Sequence, residues 1–163
     1  MKQSSRWGIR TLAEAYRRAL TLGLANTAEI GAWLDRVLAE TDKPAIEVIE
    51  ASLAASRGAP ALVSALATIR GEYNAQLMTR GFFHLSRRAV VRSPEQALRV
   101  AEALYAMALD REFPAEDAMA RMLSFQDALE LADQQVFGKR EDLTRDLIAF
   151  LDEYAAWPNE QGE

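Results

Sequence analysis

The stretch MTRGFFHLSRRAVVRSPEQ, residues 78–96, holds the only histidine of this 163-residue chain and sets it among four arginines. On a helix, Arg80, His84, Arg87 and Arg88 fall at i, i+4, i+7 and i+8 and share a face, while Met78, Phe82, Ala89 and Val90 turn the other way. Guanidinium groups in such a row can grip a phosphate, a carboxylate or an acidic protein surface through paired hydrogen bonds. They can equally form a solvated face, or pair with acids elsewhere in the same chain. Catalysis by His84 would need a nucleophile or an orienting acid beside it, and Ser86, two residues on, faces elsewhere on a helix. Gly81 leaves two geometries open. Inside a helix a glycine costs about 1 kcal/mol relative to alanine, so it either ends a helix after Arg80 or admits another backbone at close range.

Little else in the sequence is suited to chemistry. One histidine and no cysteine rule out thiolate and multi-histidine metal sites, cysteine nucleophiles and disulfides. Asp127, Glu130 and Asp133 lack both the Glu-x-x-His pairs of di-iron bundles and the glycine-centred loop of a calcium-binding hand, so they read as solvated acids. Phosphate-binding glycine loops, the Gly-x-Ser-x-Gly elbow and His-Glu-x-x-His are absent. No cofactor or metal is expected.

Charge is spread unevenly. Residues 70–92 hold five arginines against Glu72 alone, whereas residues 110–163 hold 14 acids and 5 bases within a chain of net charge −5. An acidic last third argues against a phosphate-tracking nucleic-acid protein. A recognition helix starting at Ser93 would bring Glu95 and Glu102 toward phosphates, which repels them. No run reaches the roughly 18 apolar residues of a membrane span, so a membrane role is not expected. With no cysteine and no apolar leader block, the expected location is cytoplasmic.

The elements that must carry these residues read as helices throughout, with no hairpin turns and no sustained alternation. Thr11-Leu-Ala-Glu14 and Asn26-Thr-Ala-Glu29 resemble capping boxes opening helices over 11–22 and 27–41. Pro44, Pro60, Pro94 and Pro114 each precede an apolar-periodic run, as first-turn prolines do, and Ser93-Pro94-Glu95-Gln96 is the fullest start signal. Gly23, Gly58, Gly71 and Gly138 supply stops. Further helices are expected over 72–91, over 114–136 with a break near Ser124, and over 141–155.

The expected fold is an all-α, compact single-domain array of seven or eight helices. Helix 94–110, apolar on all sides but the Glu95, Arg99, Glu102 strip, is placed at its centre. Helix 141–155 is two-sided, with Leu143, Leu147, Phe150, Leu151 and Tyr154 inward and Asp142, Asp146 and Glu153 outward. Pro60 and Pro94 are 34 residues apart, but no other tetratricopeptide feature accompanies them. The domain is drawn over 1–157, and the closing WPNEQGE reads as a frayed end, with 158–163 as its tail.

The function expected is that of a small soluble macromolecule-binding protein, with another protein as partner, of the adaptor, immunity-type or regulatory kind. The binding residues expected are Arg80, His84, Arg87 and Arg88 on the basic face and Asp142, Asp146 and Glu153 on the acidic one. A helical enzyme or small-ligand sensor with a pocket near His84 is the alternative. Nucleic-acid binding through the basic 80–92 stripe is third.

Overall fold

The computed structural model describes residues 7–113 and 116–158. Eight α-helices and no strand occur among them, as the sequence pattern predicts. They are α1 (Ile9–Thr21), α2 (Thr27–Glu40), α3 (Ile46–Ala54), α4 (Ala59–Leu66), α5 (Ala75–Arg92), α6 (Ala97–Leu109), α7 (Glu116–Asp133) and α8 (Arg140–Tyr154). Short 3₁₀ turns at Ala55–Arg57 and Pro94–Gln96 lead into α4 and α6. The expected start at Pro114 lies outside the described residues, and α7 runs through Ser124 without a break.

Two capping signals prove different from their sequence reading. Asn26 caps α2, its Oδ1 accepting from the Glu29 amide at 2.8 Å. Thr11 caps nothing: α1 begins at Ile9, and Thr11 is fully buried within it. Its hydroxyl donates to the Glu72 carbonyl (3.4 Å) and accepts from the Asn74 amide (3.0 Å), tying the 71–74 turn to α1. Glu14, the acid of the supposed box, pairs with Arg17 and Arg18 instead. Ser93 likewise makes no side-chain cap, while Asn74, on the far side of α5, does, accepting from the Leu77 amide at 3.0 Å.

The packing has two groups with a shared seam. Helix α2 packs on α3, α3 on α4, and α4 on α1; α5 and α7 both pack on α8, and α6 on α7. Contact between α1 and α5 joins the two groups, and one hydrophobic core runs through both, from Ala13 to Leu151. Helix α6 meets α5, α7 and α8 and buries Leu104 completely, as expected of a central helix. It shares that place with α5, which encloses Met78, Phe82, Phe83 and Leu85. The open strip of α6 includes Arg99 and Glu102 as predicted but is wider than the sequence suggests, taking in Tyr105, Ala106 and Leu109, and Arg99 reaches over to donate to the Leu22 carbonyl at the end of α1 (2.9 Å). Helix α8 faces as predicted, with Leu147, Phe150 and Leu151 buried and Asp142, Asp146 and Glu153 exposed.

Candidate functional site

Helix α5 settles the geometry of the basic stripe. It passes through Gly81 unbroken, and the glycine serves close approach: a Cβ there would lie 3.2 Å from Trp7 Cζ3, 3.3 Å from Trp157 Cζ3 and 3.5 Å from the Ala15 Cβ. Two indoles therefore press against the backbone of α5, close enough that even a methyl group at this position would oblige them to give way slightly. Trp157, read from sequence as part of a frayed end, is docked.

Each member of the stripe has a partner inside the chain. His84 lies flat on Trp157, ring centres 5.0 Å apart and 16° between planes. Trp157 in turn meets Tyr16 edge-on at 5.3 Å and Trp7 at 6.2 Å. Arg87 Nε stands 3.1 Å from an Asp152 carboxylate oxygen on α8, an ion-pair contact without hydrogen-bond geometry, and Arg88 Nη1 stands 2.8 Å from Glu29 on α2. Arg80 Nη1 donates to the Tyr154 carbonyl at 3.1 Å, and its guanidinium lies 5.5 Å from the centre of the Phe113 ring. Burial pushes the His84 pKa below its usual value, and the charges of Arg88 and Arg87 push it further, against the opposing pull of Glu29. The folded surroundings thus favour the uncharged form of this stacked ring. Ser86 is fully buried, and its hydroxyl has no hydrogen-bond partner among the described residues.

The acidic residues of α8 are brought to one outer face but not to the basic stripe. Asp142 lies 3.6 Å from Arg145, one turn along, and Glu153 accepts from Arg121 of α7 at 2.9 Å. Asp146 is exposed and makes no ion pair with a described residue. It is Asp152, not Asp142 or Asp146, that reaches the arginines.

Two surfaces escaped the sequence reading. One is a cleft of about 440 Å³ beside the histidine's stacking partner, where Asn74, the cap of α5, and Leu77 and Arg80 on α5 line the cleft together with Ala156, Trp157 and Trp7. The Ala156 amide donates to the Arg80 carbonyl at 3.2 Å and, with the Arg80 to Tyr154 bond, fastens this C-terminal strap to α5. The other is the outward face of α3, where Ile46, Ile49 and Leu53 are 64 %, 37 % and 58 % exposed.

No protein-family model matches the chain, and no curated protein or solved structure shows a detectable likeness to it. What the surfaces can do therefore rests on their own chemistry. The basic stripe acts first as a clamp between α5, α2 and α8. The cleft offers aromatic walls and a cation, and the α3 face offers apolar area with charge at its edges. The signals were present in the sequence: Ile46, Ile49 and Leu53 repeat at i, i+3 and i+7 opposite Val48, Ala51 and Ala54, and Trp157 is the only large apolar residue of its tail.

Proposed function

We propose that this chain works by binding another protein, and that the contact surface is the outward face of α3. The observation that carries this reading is the stripe of Ile46, Ile49 and Leu53 on a nine-residue helix whose other side, Val48, Ala51 and Ala54, is already buried. A helix apolar on both sides is normally covered on both. Here α2 and α4 cover one side, and nothing among the described residues covers the other. Full burial of such side chains is worth about 1.5–3 kcal/mol each, so a partner covering the stripe would gain the core of a small interface. A single convex helix fits best against a second amphipathic helix laid along it. Glu50 is exposed on α3 beside the stripe by helical spacing, within a chain of net charge −5, which favours a partner helix with basic residues beside its apolar stripe. The charged faces of α5 and α8 lend less support, because Arg80, Arg87 and Arg88 and the α8 acids Asp142, Asp152 and Glu153 are already engaged within the chain.

The test is the Ile46→Glu, Leu53→Glu double variant. Both sites are exposed, so thermal unfolding should stay near that of the parent. A protein retained by the parent chain from its own cell extract should be lost by the variant and kept by an Arg87→Ala, Arg88→Ala control. Retention that ignores the α3 substitutions would overturn the reading. A shift of the parent from dimer to monomer on light scattering, produced by the same substitutions, would replace the foreign partner with a second copy.

A further inference from the structure

The cleft between Trp7, Trp157 and the first turns of α5 carries an inference independent of the α3 surface. We infer that it binds a small organic anion with a flat apolar body, an aromatic carboxylate in chemical class, with Arg80 receiving the carboxylate and the two indoles receiving the ring.

The charge balance is the first argument. Among the described residues no acid lines the cleft, and Arg80 is the one formally charged member of its lining. Arg17, Arg18, Arg87 and Arg88 each have a carboxylate within ion-pair distance, whereas Arg80 has none among the described residues. Its partners are a carbonyl and the face of Phe113, which orient the guanidinium without neutralising it. One of its five N–H donors is used in this way, leaving others for a planar anion, which guanidinium matches with paired bonds. A half-buried cation that lacks an acid gains more from an incoming carboxylate than one already paired.

Shape and rigidity supply the second. A volume of about 440 Å³ falls within the range of small-molecule pockets. Trp7 and Trp157 meet at 52°, forming a corner of two indole walls, with Leu77 as a third apolar surface. Trp157 is fixed from behind by His84 and from the edge by Tyr16, so that wall is in place before a ligand arrives. The Asn74 Oδ1 is spent on the Leu77 amide, which leaves the Nδ2 group as a donor on the same wall as Arg80. Indole and Leu77 walls with convergent donors, and no acid among the described lining residues, favour an amphipathic anion over a cation.

Naphthalene-2-carboxylate and its neutral carboxamide are the probes, titrated into the full chain by calorimetry and by tryptophan emission. The carboxylate should saturate at one site and change the emission, and the carboxamide should bind about tenfold more weakly or worse, a difference of about 1.4 kcal/mol. Arg80→Gln should remove that preference. Because Arg80 also fastens the strap, Gln76→Glu provides the check: Gln76 lines the cleft, is exposed in the first turn of α5, and an acid is well tolerated at a helix start. This variant should fold normally, weaken carboxylate binding about tenfold and leave the carboxamide within about twofold. Three results would each overturn the inference: no saturable carboxylate binding up to about 1 mM, equal binding of the two probes, or a preference untouched by Gln76→Glu.

Discussion

His84 is the one side chain here whose charge changes near neutral pH, and its surroundings favour the uncharged ring. An indole face alone would welcome an imidazolium, as aromatic rings attract cations. Burial, Arg88 and Arg87 outweigh that attraction and Glu29, and the folded-state pKa lies below the ordinary 6.5. The consequence for stability has a definite sign. Above the unfolded value both states are neutral and the full stability is present. As pH falls below it, the unfolded chain takes the proton first, and stability is lost until the folded value is passed. Glu14 acts lower down. Burial would raise its pKa, but hydrogen bonds from Arg17 and Arg18 hold it below the usual 4.5, so its contribution is lost only in that more acid range. His84→Phe keeps a flat ring on Trp157 and removes the proton. Thermal midpoints measured between about pH 7 and pH 5 should fall for the parent chain and stay nearly level for the variant. Parallel profiles would show that burial, Arg88 and Arg87 do not depress the His84 pKa in the folded chain.

Among the helices, the difference between a side chain that caps and one that only looks like a cap can be measured. Asn26→Ala should cost about 1 kcal/mol in urea unfolding, because it frees the Glu29 amide, whereas Ser93→Ala should cost less than about 0.5 kcal/mol because its side chain caps nothing. Equal losses would contradict the assigned starts. The contrast also explains what could be read in advance. Asn26 was legible because its bond is local, made within the four residues that define the motif. Thr11-Leu-Ala-Glu14 has the same pattern, but its threonine bonds to residues 61 and 63 positions away, which no local motif encodes. Helix ends divide in the same manner. Gly23, at φ 74, closes α1 and was readable, but α6 and α7 give way to Arg111 (φ 54) and Gln135 (φ 59), residue types that announce no stop. The candidate surfaces follow suit. The stripe on α5 was visible as a periodicity, while the ion pairs that occupy it join three helices, and Trp157 reaches the cleft from 73 residues beyond His84.

The two helical groups meet where α1 lies on α5, and the seam is made of small residues. Thr11, Ala15 and Ala19 recur every fourth residue on α1 and are fully buried, with Ala15 opposite Gly81. All three tryptophans stand near this junction: Trp7 and Trp157 against Gly81, and Trp33 4.8 Å from the Tyr16 ring. Tryptophan emission therefore reports the seam, while far-ultraviolet circular dichroism reports every helix. Because one hydrophobic core crosses the junction, the groups should not be separable, and the two signals should lose their native values together in a single transition. Ala15→Leu sharpens the test. Three extra carbons have no room beside Gly81 and the indoles, so the variant should lose about 1–3 kcal/mol or more. That loss should move both signals by the same amount, since the strain falls on a contact that both groups share. If emission instead melts early while most helical signal persists to a second transition, then α1–α4 or α5–α8 holds together alone. In that case the cleft, built from Trp7 on one side and α5 on the other, would be a site between two units and not a feature of one cooperative fold.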